Sequence, residues 1–148
     1  FRLVLGWRPV RTSRRPEGPG MILVPALAYF APVFAAAFAF GALRVMLIAP
    51  AIGAFAGVAL EVPLILALSW LVAGRVLARW PMQRSPALAL GALAFLILML
   101  AEFALARLLS GQTPAAYAAT FLTAPGALGL AGQIGFALIP ALRAQARG

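Results

Sequence analysis

Apolar residues run almost unbroken from position 21 to 142, and the few polar interruptions divide that run into four segments. A helix crossing a hydrocarbon core about 30 Å thick needs roughly 20 apolar residues, so the stretch from Met21 to Ala73 is too long for one crossing. Arg44 followed by Pro50 is where the pattern predicts a turn, giving spans over 22–43 and 51–73. Residues 74–85 carry Arg75, Arg79, Trp80, Pro81 and Arg84, an interfacial basic loop with Trp80 at headgroup depth. A third span is predicted over 86–109. The polar turn Ser110, Gly111, Gln112, Thr113, Pro114 follows, then a fourth span over 115–140. Pro32 and Pro63 fall inside spans and predict kinks whose freed carbonyls find partners on neighbouring helices. A membrane barrel would need alternating segments of about ten residues, whereas these runs are apolar on every face. The predicted fold class is therefore all-α: an integral membrane bundle of four transmembrane helices.

The domain reading has three parts: a basic tail over 1–20, a transmembrane domain over 21–142 and a short basic end over 143–148. The tail holds Arg2, Arg8, Arg11, Arg14 and Arg15 among prolines and predicts little fixed structure. Met21 is the first methionine, and two origins for the tail stay open: part of a longer start, or translated sequence upstream of an initiator at Met21. A cleaved signal peptide is disfavoured, because the apolar run continues far beyond a normal signal core.

Composition sharpens the picture. Hydrophobic residues make up 64% of the chain and charged residues 10%, with a mean hydropathy of +1.02, so water is not its main solvent. The net charge of +9 raises the question of nucleic acid, but every basic residue is Arg and nearly all flank apolar runs. Orientation and contact with anionic lipid headgroups account for them better, so nucleic-acid binding is not expected. Ten of the twelve Arg fall on one side if both termini are cytoplasmic, against Arg44 and Arg107 on the other. Without the tail the count is five against two, still favouring cytoplasmic termini. A preference for Ala, Gly, Pro and Arg points to a bacterium with a GC-rich genome, hence to the inner membrane. Arg75, Arg79, Trp80, Arg84 and Arg143 are the expected interface anchors.

Cys, His, Lys, Asp and Asn never occur. No thiolate or imidazole exists to hold zinc, an iron–sulfur cluster or a haem, so neither metal nor cofactor is expected. Protease and metallohydrolase motifs are likewise missing, and no enzymatic role is expected.

The polar groups within the spans are the remaining candidates for chemistry. Glu61 is predicted close to the midplane, where a charge costs roughly 2.5 kcal/mol or more and normally faces the protein interior. Gly53, Gly57 and Glu61 share one helix row, with Gly53 and Gly57 as a close-packing pair. Glu102, Arg44 and Arg107 fall at similar depth, as do Tyr117 and Thr120. Arg44 with Glu102 is the preferred ion pair, Arg44 with Glu61 the second choice. Gly126, Gly129, Gly132 and Gly135 predict a close-packing face on the fourth span. Gln133 is placed near Ser69, and a hydrogen bond between them would tie the second and fourth spans.

Two small four-helix families invite comparison and neither fits. Small multidrug exporters carry their embedded Glu on the first helix, and the glutathione-linked membrane enzymes need an Asn that this chain lacks. The expected function is an accessory or scaffold subunit of a larger inner-membrane complex, with other membrane subunits and lipid as partners. A small proton- or ion-coupled transporter using Glu61 is the alternative, and a lipid-modifying enzyme the weaker one.

Overall fold

A computed structural model describes residues 20–147; residues 1–19 of the basic tail, with its five arginines, lie outside the described residues, as does Gly148. The elements are α1 (Gly20–Leu43), a π-helical segment (Arg44–Ile48), α2 (Ala49–Ile52), α3 (Ala54–Arg79), α4 (Arg84–Ser110), α5 (Pro114–Thr120) and α6 (Ala124–Ala146). Among the described residues four helices are long and apolar enough to cross a membrane: Ile22–Ile52, Ala54–Arg79, Arg84–Ser110 and Ala124–Ala146. This all-helical architecture suggests a multi-pass membrane protein.

Two boundaries differ from the sequence pattern, each for a local reason. The first helix does not turn at Arg44 or Pro50. It widens through one π-helical turn, in which the Ala49 N–H donates to the Arg44 carbonyl. That widening lies just before Pro50, whose ring would otherwise meet the carbonyl four residues back. The break comes at Gly53, with φ of 92°, a conformation that side chains bearing a Cβ rarely adopt. Nothing lies within 4 Å of a Cβ built there, so Gly53 is a hinge between helices and not a packing contact.

The second difference is at the fourth span, which begins at Ala124 and not near 115. Gly111, at φ of 64°, ends α4. Thr113 then caps α5 by accepting from the Ala116 N–H at 3.1 Å, with Pro114 at the first turn. Ten residues later Thr123 repeats the device, accepting from the Gly126 N–H at 3.1 Å with Pro125 in the first turn. Two caps so close together start two helices, so 114–120 is a separate short element lying on α4.

The helix pairs in contact are α1 with α3, α3 with α6, α6 with α4 and α4 with α1, a closed ring in which α3 and α6 run parallel and α1 and α4 oppose them. The core sits towards one end. Ala26, Tyr29, Val72, Ala73, Val76, Leu90, Ala94, Phe136 and Ile139 form it, and we call this the packed end. Pro140 explains its centre: a proline lacks the N–H that would bond the carbonyl four residues earlier, here that of Phe136. The Tyr29 hydroxyl donates to that carbonyl at 2.6 Å, and its ring stacks on Phe136 at 4.5 Å. At the same level Gly91 lets α4 approach α6, since a Cβ at Gly91 would collide with the Ala137 carbonyl.

Candidate functional site

At the opposite end the ring encloses a partly open cavity of about 350 Å³. Val33, Phe34, Val58, Leu66 and Leu98 line it with apolar surface, and Phe136, stacked on Tyr29, closes it towards the packed end. Into it face Arg44, Glu61, Glu102, Gln133 and Tyr117. No group of three or more His, Cys, Asp or Glu suited to a metal ion occurs among the described residues.

Arg44 opens the π-helical segment, and its aliphatic stem lies across Gly57: a Cβ there would come within 2.9 Å of Arg44 Cγ. Gly57 thus makes room for a side chain and not for a neighbouring backbone. The stem carries the guanidinium to Glu61, one turn further along α3, where Nε donates to Oε2 at 2.6 Å. Both side chains are mostly shielded, at 27% and 18% exposure. Glu61 stands seven residues into α3, about 10 Å from its start, nearer the helix end than the midplane depth predicted for it.

The preferred pairing of Arg44 with Glu102 does not form, because Arg44 is taken by Glu61. Glu102 accepts instead from two neutral donors, Gln133 Nε2 at 2.6 Å and the Tyr117 hydroxyl at 3.3 Å. One carboxylate at the cavity thus has a cation beside it and the other has neutral donors only. Tyr117 is held over Glu102 by α5, its ring against Phe103 at 5.4 Å and Phe121 at 5.2 Å. Burial, followed by the adjacent Glu102 carboxylate, pushes the Tyr117 hydroxyl up to about 12, so it stays a donor across the physiological range. The oxygen of the same amide, Gln133 Oε1, is buried without a partner. An unpaired buried acceptor beside a cavity is costly unless water or a ligand satisfies it.

Other predicted contacts are redistributed. Ser69 does not meet Gln133; its hydroxyl donates to the Ile65 carbonyl in its own helix at 2.7 Å, while the amide goes to the stronger carboxylate acceptor. Arg107 joins no ion pair. It is exposed, and its Nη1 donates to the carbonyls of Gly111 and Gln112, each at 3.4 Å, closing the end of α4. Gly126 packs on its own turn, where a Cβ would strike the Thr120 carbonyl. Gly129 faces open cavity with nothing within 4 Å. Gly132 and Gly135 meet α3, at Val62 and Leu66. Away from the cavity, Arg75 and Arg84 are exposed and Arg79 lies over Trp80 at 5.2 Å. Arg143 lies over Trp70 at 4.8 Å.

Sequence reasoning passed over Tyr29, Gly91 and Gly74. Pro140 is the signal that could have found Tyr29, since a proline inside a span demands a donor from elsewhere and Tyr29 carries the hydroxyl that α1 can offer. No known family model, curated protein or solved structure matches the chain.

Proposed function

We propose that this protein is a small proton- or cation-coupled membrane transporter whose exchangeable group is Glu102, not Glu61. The observation that supports it is the unequal pairing of two carboxylates at one cavity: Glu61 is neutralised by Arg44, whereas Glu102 is held by Gln133 and Tyr117 alone. Holding a carboxylate in such surroundings without a counter-charge is expensive. Two states relieve the cost: protonated and neutral, or ionised with a cation beside it. Exchange between them is the elementary step of a coupled carrier. Gln133 Oε1 supplies a second oxygen at the same place for an N–H donor or a monovalent cation. The Tyr29–Phe136 stack closes the far side of the cavity, so alternating access would require that stack to open.

Proteoliposomes loaded with a pH-sensitive dye test this under inward gradients of Na⁺ or ethylammonium. The expected result is protein-dependent proton efflux, lowered about tenfold or more in Glu102→Gln and unchanged in Gln145→Ala, at the exposed end of α6. Wild-type vesicles that move no protons under either gradient, or a flux indifferent to Glu102→Gln, would remove the proposal.

A role as accessory subunit of a larger inner-membrane complex is the second proposal, with both termini cytoplasmic. It is supported by Leu108, Leu109 and Leu122, which stand 81%, 73% and 88% exposed at the last turn of α4 and the α5–α6 connection. Large apolar side chains beside a polar turn fit coverage by a neighbouring subunit. Purification in mild detergent decides it: recovery of a free monomer alone contradicts it.

A further inference from the structure

The packed end carries an arginine that the cavity does not use. Trp70 and Gly74 lie one turn apart on α3 and face Arg143 in the last turn of the parallel helix α6. The Arg143 guanidinium lies over the Trp70 ring at 4.8 Å. A Cβ at Gly74 would stand 2.8 Å from its Nη2 and 2.9 Å from its Nε, so the missing side chain at Gly74 is what admits the guanidinium. Aromatic ring and glycine together fix the plane of the group.

What the seat lacks is an acceptor. Arg143 Nε is buried with no hydrogen-bond partner. The acidic residues among those described are Glu61 and Glu102, and both line the cavity at the other end. Exposed Arg75 adjoins Gly74 in sequence, and Arg79 follows one turn later. With Nε buried against Gly74, the terminal nitrogens Nη1 and Nη2 are the fork of donors that this fixed, planar guanidinium offers to the paired oxygens of a phosphate. Arg143 stands three residues before the end of α6, about 4.5 Å along the axis, the depth at which a spanning helix meets headgroup phosphates.

We propose that Arg143, seated on Trp70 and Gly74, forms a specific binding site for a phosphate oxyanion. The sources of that chemistry are an anionic phospholipid headgroup and free phosphate. The site is independent of the cavity and stands or falls without it.

Native mass spectrometry of the full chain in detergent tests the site, by titration with phosphatidylglycerol, phosphatidylcholine or inorganic phosphate. We expect one phosphatidylglycerol to be retained in preference to phosphatidylcholine, with apparent affinity falling about tenfold in Arg143→Gln. Arg147→Gln, which removes an equal charge four residues away, should stay within about twofold. Displacement by millimolar inorganic phosphate assigns the seat to free phosphate, and persistence of the lipid assigns it to the headgroup; either sustains the site. Arg143→Lys keeps the charge and removes the fork, so it serves where Arg143→Gln does not fold, and it should also lose retention. Equal losses in the Arg143 and Arg147 variants, or retention indifferent to Arg143, would overturn the site in favour of diffuse charge attraction.

Discussion

The two ends of the bundle are built by opposite means. At the packed end, Tyr29, Phe136, Leu90, Pro140 and Ser69 are fully buried, and the carbonyl freed by Pro140 is met by the Tyr29 hydroxyl. At the cavity end neither the π-helical segment nor α5 buries a single residue, and the chain changes conformation at Arg44, Gly53, Gly111 and Thr123. Close packing selects one arrangement because every displaced atom meets another. A polar cavity bounded by short elements that bury no residue lacks that constraint. The contrast teaches that one small bundle can keep its fold at one end while leaving room for chemistry at the other.

Gly91 gives the sharpest way to break that contrast. A Cβ added there collides with the Ala137 carbonyl, which is backbone and cannot rotate aside, so α4 must move away from α6. Gly91→Ala is expected to cost about 3 kcal/mol, an overpacking penalty at the top of the usual range. Thermal unfolding in detergent should show a large fall in midpoint, and an unchanged midpoint would mean that the two helices are not locked together here.

A smaller effect, with a built-in control, is expected from Tyr29. Tyr29→Phe keeps the ring stack but leaves the Phe136 carbonyl buried without its donor, a loss of about 1.5 kcal/mol. Pro140→Ala restores an N–H to the same carbonyl from within α6. The double variant Tyr29→Phe with Pro140→Ala should therefore recover most of that stability, and a double-mutant cycle measures the coupling. Purely additive effects would show that hydroxyl and proline do not answer each other.

How much of this was legible in the sequence depended on which force set the feature. Long apolar runs display the four candidate spans directly, because burial in hydrocarbon acts on every residue of a run. Where a run ends is fixed by one or two backbone angles, and there the pattern misled: Pro50 looked like the turn, yet Gly53 supplies the positive φ. Thr113–Pro114 and Thr123 with Pro125 both carry the marks of a helix start, and giving them equal weight would have begun the fourth span at 124. That shift of nine residues also explains the site. With the span starting near 115, Gln133 falls level with Ser69; starting at Ala124, it falls level with Glu102, to which it is bonded. The Arg44–Glu61 pair hangs on Gly57, whose role as a passage for a side chain has no signature in spacing.

Gly129 completes the comparison with the smallest effect. It lies on the same helix as the Gly91 contact, but at the cavity end, where a Cβ would meet nothing within 4 Å. Gly129→Ala adds a methyl to open space and removes backbone freedom from the unfolded chain, so stability should stay level or rise by up to about 1 kcal/mol. The same methyl group thus unlocks the bundle at Gly91 and leaves it intact at Gly129. Larger side chains extend the series: Gly129→Leu should still fold, because the cavity of about 350 Å³ can take the added atoms, while occupying the space in front of Glu102 and Gln133. Paired unfolding and proton-flux measurements on Gly129→Leu separate the two properties. Retained stability with lost flux fits a cavity that works as a site, whereas a fall in stability matching that of Gly91→Ala would mean that both ends are equally packed.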